Sequence, residues 1–121
     1  MAQYEVKARS TETFGRVLCS CRNHHFVVDG PVQNGCPGEA ITPVELFLAG
    51  VASCGVELIE VIAKDQNLPI KGASVGIFAT IDRSQQVHSD LTLFNSFRLQ
   101  FHLKGVTDEQ GAQLINIFKG R

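Results

Sequence analysis

Residues 42–63 form a nearly uninterrupted apolar run, and this run constrains the fold more than any other part of the chain. It begins as a helix begins. Thr42 can cap, Pro43 suits the first helical position, and Glu45 completes a capping box with Thr42. The pattern predicts a helix to about residue 66 or 67, where Asn67-Leu68-Pro69 stops it. At about 1.5 Å per residue such a helix is about 35 Å long. Between Val44 and Ala63 apolar residues cover almost its whole circumference, and a helix with no polar face needs cover on every side. A chain of 121 residues makes one compact domain with a modest core and struggles to enclose such a helix alone. A second subunit is the simplest cover. The run approaches the length of a membrane span, but Glu45, Glu57 and Glu60 interrupt it and argue against a transmembrane role.

The remaining chain reads as strands before and after this helix. Tyr4, Val6 and Ala8 alternate with Glu5, Lys7 and Arg9, a first strand, and residues 10–15 form a turn. Residues 16–22 alternate as a second strand and residues 25–29 form a third, broken by Asp29-Gly30-Pro31. The loop 32–41, with Asn34-Gly35, Pro37 and Gly38, is expected to be irregular. After the helix, residues 75–81 and 97–104 alternate as two more strands. Thr107-Asp108-Glu109-Gln110 is a second capping box, and Leu114, Ile115 and Phe118 give the apolar face of a short closing helix. The order is three strands, long helix, two strands, short helix, which is α+β, and no linker or repeat divides it. The reading is a single domain, 1–121.

Composition narrows the function classes. The net charge is −1 and Lys and Arg form no stripe, which argues against a nucleic-acid partner. No leading apolar segment follows a basic start, so no signal peptide is expected, and the four cysteines are expected to be reduced thiols in the cytoplasm. Cys19 and Cys21 are two apart on one strand face, near or beyond disulfide reach.

Cys54 is the leading candidate for chemistry. A thiol in an apolar helix is either an inert small hydrophobe or a nucleophile kept from bulk water. Ala49, Gly50, Ala52, Ser53 and Gly55 around it are small enough to let a backbone or ligand come close. Reactivity needs a thiolate, and a thiolate needs nearby positive charge or hydrogen-bond donors. Cys54 is about three turns inside the helix, beyond the reach of the helix N-terminal dipole. An Arg from elsewhere must supply the field. Cys19, Cys21, His24, His25 and Cys36 invite a metal reading, but the C-x-C spacing is not the usual zinc pattern, and a strand and loop role is preferred. Glu57 and Glu60 read as a solvated or interface edge, and Asp29-Gly30-Pro31 as only a turn.

Asp29-Gly30-Pro31, the loop ending Gly38-Glu39-Ala40-Ile41-Thr42, and the run from Pro43 to Cys54 together resemble the signature of the OsmC/Ohr family. The stretch from Phe97 to Gly120, with His102-Leu103-Lys104-Gly105-Val106-Thr107, is similar to its final strand and helix. The resemblance implies an OsmC-like α+β fold in an interlocked homodimer, with the long helices central and the active sites at the subunit interface. It implies thiol-dependent reduction of organic hydroperoxides or hydrogen peroxide in oxidative stress defence, without a cofactor or bound metal. Cys54 matches the reactive position. The family's second Cys follows the last helix in a Cys-Pro pair, whereas this sequence ends Lys119-Gly120-Arg121 at that place. The resemblance therefore implies a chain cut short or an external thiol or dithiol as reductant. A family Glu ten residues before the reactive Cys falls on Val44 here, with Glu45 one residue away. The activating Arg is not fixed by the motif: some members place it in the loop before the helix, which has none here, and others at the first strand turn, where Arg16, the preferred candidate, or Arg9 could stand. The competing function is a non-catalytic OsmC-like dimer that binds a small apolar ligand, with Cys54 vestigial. A metal-binding protein using Cys19, Cys21 and the histidines is the third class.

Overall fold

The structure is a computed structural model that describes residues 1–87 and 94–120. Along the chain come strands β1 (Lys7–Ser10), β2 (Arg16–Cys21) and β3 (His24–Asp29), helix α1 (Pro43–Asp65), strands β4 (Gly72–Thr80) and β5 (Ser96–Lys104), and helix α2 (Asp108–Lys119). This is the α+β order that the sequence predicts. Short 3-10 turns at Val32–Asn34 and Arg83–Gln85 are the additions, the first inside the loop expected to be irregular. By its contacts the chain divides into two compact units, Met1–Phe47 and Leu48–Arg121.

In the first unit β1, β2 and β3 form an antiparallel sheet in sequence order. Cys21 pairs with His24 across a two-residue turn in which Arg22 takes φ 54°. That turn also explains why β1 starts at Lys7 rather than at Tyr4. Lys7 pairs with Ser20, so Glu5 and Tyr4 would fall opposite the turn residues Arg22 and Asn23, where β2 offers no ladder. Val17, Cys19 and Val28 share the half-buried face of this sheet.

In the second unit β4 and β5 pair antiparallel from Gly72↔Lys104 to Thr80↔Ser96. Leu99, Phe101 and Leu103 point inward and Arg98, Gln100, His102 and Lys104 outward, as the period-two pattern predicts. Ile59, Ile62 and Ala63 of α1 and Leu114 of α2 are the buried core, with Leu68, Ile70, Phe101, Leu103 and Phe118 packed round them. Phe101 and Phe118 meet edge to face at 5.3 Å. Asn67, at φ 55°, ends α1, and the Leu68 N–H donates back to the Ala63 carbonyl at 2.8 Å. Thr107 caps α2 in a reciprocal pair with Gln110.

The expected all-round cover of α1 is incomplete within this chain. Only Gly55, Ile59, Ile62 and Ala63 of the helix are buried, whereas Val44 and Phe47 are 45% and 55% exposed. By length and composition alone α1 could cross a bilayer, but its buried residues pack in the core formed with β4, β5 and α2.

Candidate functional site

The entry into α1 is built around one buried carboxylate. Arg16 opens β2 and Asp29 closes β3, and the hairpin register sets them directly opposite each other. Arg16 Nε donates to Asp29 Oδ1 at 2.8 Å and Nη2 to Oδ2 at 2.9 Å, a bidentate pair. Oδ2 also accepts the backbone N–H groups of Glu39 (3.0 Å) and Ala40 (2.8 Å). The Asp29 N–H donates to the Ile41 carbonyl at 3.0 Å. Asp29 is fully buried, and these donors are what make a buried charge tolerable. The Arg16 guanidinium, followed by the Ala40 N–H, holds the Asp29 carboxyl well below the usual carboxylate range. Asp29 and then Glu39 raise Arg16 further above its already high value. Glu39 is the outer arm of this cluster: its Oε1 accepts from Arg16 Nη2 at 2.9 Å while its side chain is 78% exposed.

Two glycines complete this corner. Gly15 (φ +79°) and Gly30 flank the Cys36 side chain so closely that a Cβ on either would collide with Cys36 Sγ. The Gly30 N–H donates to the Gly15 carbonyl at 2.9 Å, which holds the two strand ends together next to Arg16.

Glu45 grips the same segment from its other end. Its Oε1 accepts the Thr42 N–H at 3.0 Å and the Thr42 hydroxyl at 2.8 Å, and Thr42 Oγ1 accepts the Glu45 N–H at 3.4 Å. The expected capping box is therefore present. The Thr42 N–H, followed by its hydroxyl, lowers the Glu45 carboxyl's affinity for protons. Arg16 and Glu45 thus both act on residues 39–42, through different partners.

Cys54 lies in the second unit on α1, and its side of the helix is exposed in this chain. Its neighbour Gly55 is buried against Val75 and Phe101. Ser53 turns its hydroxyl back to the Gly50 carbonyl at 3.1 Å. The reading of Cys54 as an inert core thiol therefore does not describe this chain taken singly. All four cysteines are free; Cys19 is buried, and Cys21 and Cys36 are half-buried. Among the described residues no three His, Cys, Asp or Glu side chains gather as a metal site. His25 Nδ1 instead shares a hydrogen bond with Ser20 Oγ at 2.8 Å. An apolar hollow of about 390 Å³ opens in the first unit, lined by Ala8, Val17, Cys19, Val28, Pro43, Leu46 and Phe47.

Asp29 and Glu39 are the members of this cluster that sequence reasoning misses, since Asp29-Gly30-Pro31 reads as only a turn. The signal was present in the register. A two-residue turn at Arg22-Asn23 places Arg16 opposite Asp29, and an Arg facing an Asp at the open end of a hairpin can make an ion pair.

Comparison with known proteins adds a family. A family model described as OsmC-like protein matches residues 36–119. A comparison with curated protein sequences finds no match. Several solved structures share the fold. An OsmC-like protein from Mycoplasma pneumoniae superposes with a TM-score of 0.81 at 13% identity, over 99% of this chain and 82% of that one. An organic hydroperoxide resistance protein OsmC from Legionella pneumophila gives 0.73 at 20% identity, over 96% and 81%. An organic hydroperoxide resistance protein from Elizabethkingia anophelis gives 0.75 at 18% identity, over 96% and 80%. At these identities the likeness is one of fold.

Proposed function

The chain belongs to the OsmC-like protein family, and from that premise we propose that it is a thiol-dependent peroxidase in oxidative stress defence, reducing organic hydroperoxides or hydrogen peroxide through Cys54. The observation that carries the reading is the exposed thiol of Cys54 on α1, inside the segment that the family model matches. Two solved relatives of the same fold are named organic hydroperoxide resistance proteins, which supports the substrate class. The matched segment crosses the boundary between the two units, which supports treating them as one OsmC-like domain.

In the proposed reaction the Cys54 thiolate attacks the terminal peroxide oxygen. An S–O bond forms, the O–O bond breaks, and the departing alkoxide takes a proton and leaves as the alcohol. Cys54 is left as a sulfenic acid. An external thiol condenses with it, releasing water and forming a mixed disulfide. A second thiol equivalent reduces that disulfide and restores Cys54. An external thiol or dithiol is taken as the reductant, since Cys19 is buried, Cys21 is held on β2 and Cys36 is wedged between two glycines. We assign Arg16 as the cation that favours the thiolate and Glu45 as the carboxylate that fixes the helix entry. The active form is a cytoplasmic homodimer, in which a second copy covers the exposed apolar residues of α1.

A second reading has one observation in its favour. The apolar hollow beside Leu46 and Phe47 fits a small apolar ligand, with Cys54 taking no part. Peroxide consumption with dithiothreitol as reductant separates the two. The wild-type protein should turn over cumene hydroperoxide, and Cys54→Ser should lose that turnover while keeping its fold, because a hydroxyl is a far weaker nucleophile at neutral pH. Full activity in Cys54→Ser would remove the peroxidase reading.

A further inference from the structure

The outward face of the β4–β5 ladder takes no part in the proposed chemistry, and its charge is one-sided. The register sets Gly72 opposite Lys104, Ser74 opposite His102, Gly76 opposite Gln100 and Phe78 opposite Arg98. These residues share the face that points away from the core of the second unit, since Ala73, Phe101 and Leu103 on the other face pack on that core. Arg98, His102 and Lys104 are exposed, and neither strand carries an Asp or Glu. The described carboxylates of this unit lie on α1, on α2 and at Asp82. Among the described residues none of Arg98, His102 and Lys104 has an ion pair. A solvated sheet face commonly sets opposite charges or hydroxyls across from its cations. Here Arg98 faces a phenylalanine and Lys104 a glycine.

Two details shape this face. Arg98 lies over the ring of Phe78, with Cζ 4.7 Å from the ring centroid, and Phe78 is itself 52% exposed. The stack orients the guanidinium and leaves its N–H edges for an acceptor. The outward residues of β4 before Phe78 are Gly72, Ser74 and Gly76, so β4 is low and the long side chains of β5 stand beside it. The Phe78 ring closes one end of this trough, reaching so far over Gly76 that a Cβ there would lie 3.5 Å from Cε2.

We propose that this face is a docking surface for an extended acidic segment of another protein. The segment lies along β5 above the low strand β4, and its carboxylates meet Lys104, His102 and Arg98. Both backbones rise by about 3.3 Å per residue, so the acidic residues fall at the first, third and seventh places of the segment. The charge favours a short acidic peptide over a nucleic acid. The face offers two fixed charges and a histidine, and a chain with a net charge of −1 adds no long-range attraction for a polyanion. The proposal stands apart from the peroxidase reading, because none of these residues is assigned to that reaction.

The probe is a short synthetic Ser/Thr peptide with glutamates at its first, third and seventh places, titrated against the full chain at low salt by fluorescence anisotropy. Saturable binding is expected. Arg98→Gln together with Lys104→Gln should weaken it by about tenfold, as two exposed ion pairs at about threefold each. Both side chains point to solvent, so the double variant should keep the wild-type circular dichroism. Two control peptides read the same contacts without altering the protein: one with its glutamates adjacent should bind several-fold more weakly, and one with lysines in their place should not bind. Absence of saturable binding up to millimolar peptide, or an unchanged affinity in the double variant, overturns the docking surface. Equal binding of the adjacent-glutamate peptide overturns the extended register, and with it the proposal. Tighter binding of single-stranded oligothymidylate or of phosphatidylserine vesicles at the same salt overturns the acidic segment as the occupant.

Discussion

Replacing Gly55 by alanine should stabilise the protein. Gly55 is buried in the interior of α1, one residue from Cys54, where a glycine normally weakens a helix. A Cβ built on it would lie 3.5 Å from Val75 Cγ2 and 3.8 Å from both Val75 Cγ1 and Phe101 Cε1. These are ordinary van der Waals contacts, so nothing has to move. The helix interior favours Ala over Gly by about 1 kcal/mol, largely because the unfolded chain loses freedom. Filling the small space beside Val75 and Phe101 adds a fraction of the roughly 0.8 kcal/mol that a buried methyl group contributes. The sum is about 1–1.5 kcal/mol. For a chain of this size that raises Tm by roughly 3–7 °C. Urea unfolding of Gly55→Ala and wild type at one fixed protein concentration measures it, since an oligomer's midpoint depends on concentration. Gly55→Leu is the control: its branched side chain does not fit and should cost about 1–3 kcal/mol. A loss of more than about 0.5 kcal/mol in Gly55→Ala would refute the reasoning, by showing that something besides Val75 and Phe101 presses on this position.

Two further outcomes follow from the same structure. Light scattering at micromolar concentration should give twice the chain mass of 13.2 kDa, because Val44, Phe47 and Val61 leave apolar surface of α1 uncovered in one chain; a monomer mass would refute the dimer. Stability should fall as the pH drops through the carboxylate range. The Asp29 carboxyl is held below its ordinary value of 3.8 by Arg16, so its contribution is full above that value and is lost as the pH falls towards the lowered one. Glu45, lowered from 4.5, adds a loss of the same sign. Between about pH 5 and about pH 2 Asp29→Asn should therefore lose stability less steeply than wild type. Equal slopes in urea titrations across that range would show that Asp29 is not the group responsible.

What was legible in the sequence was local. The capping boxes Thr42/Glu45 and Thr107/Gln110 each close within three residues, and both are present where the motif predicts them. The alternation of Leu99, Phe101 and Leu103 against Arg98, Gln100 and His102 fixed the inner face of β5. Asn67 before Leu68-Pro69 ended α1. The run around Cys54 marks the family by itself, because a helix start, its small residues and its thiol all lie in one continuous segment.

Tertiary structure decided the rest. Asp29 draws its partners from 10, 11 and 13 residues away, so its role depends on the β2–β3 register and on how the loop folds back, neither of which a short window of sequence contains. Separation along the chain likewise hid the placement of Cys36 between Gly15 and Gly30. The apolar pattern of α1 showed that the helix needed cover, but which residues of its second-unit part are covered depended on where β4, β5 and α2 pack, and they reach Gly55, Ile59, Ile62 and Ala63 while Val61 stays exposed. Hydrophobic burial is non-directional, so a sequence states how much apolar surface a helix carries, and only the packed chain determines which part of it is removed from water.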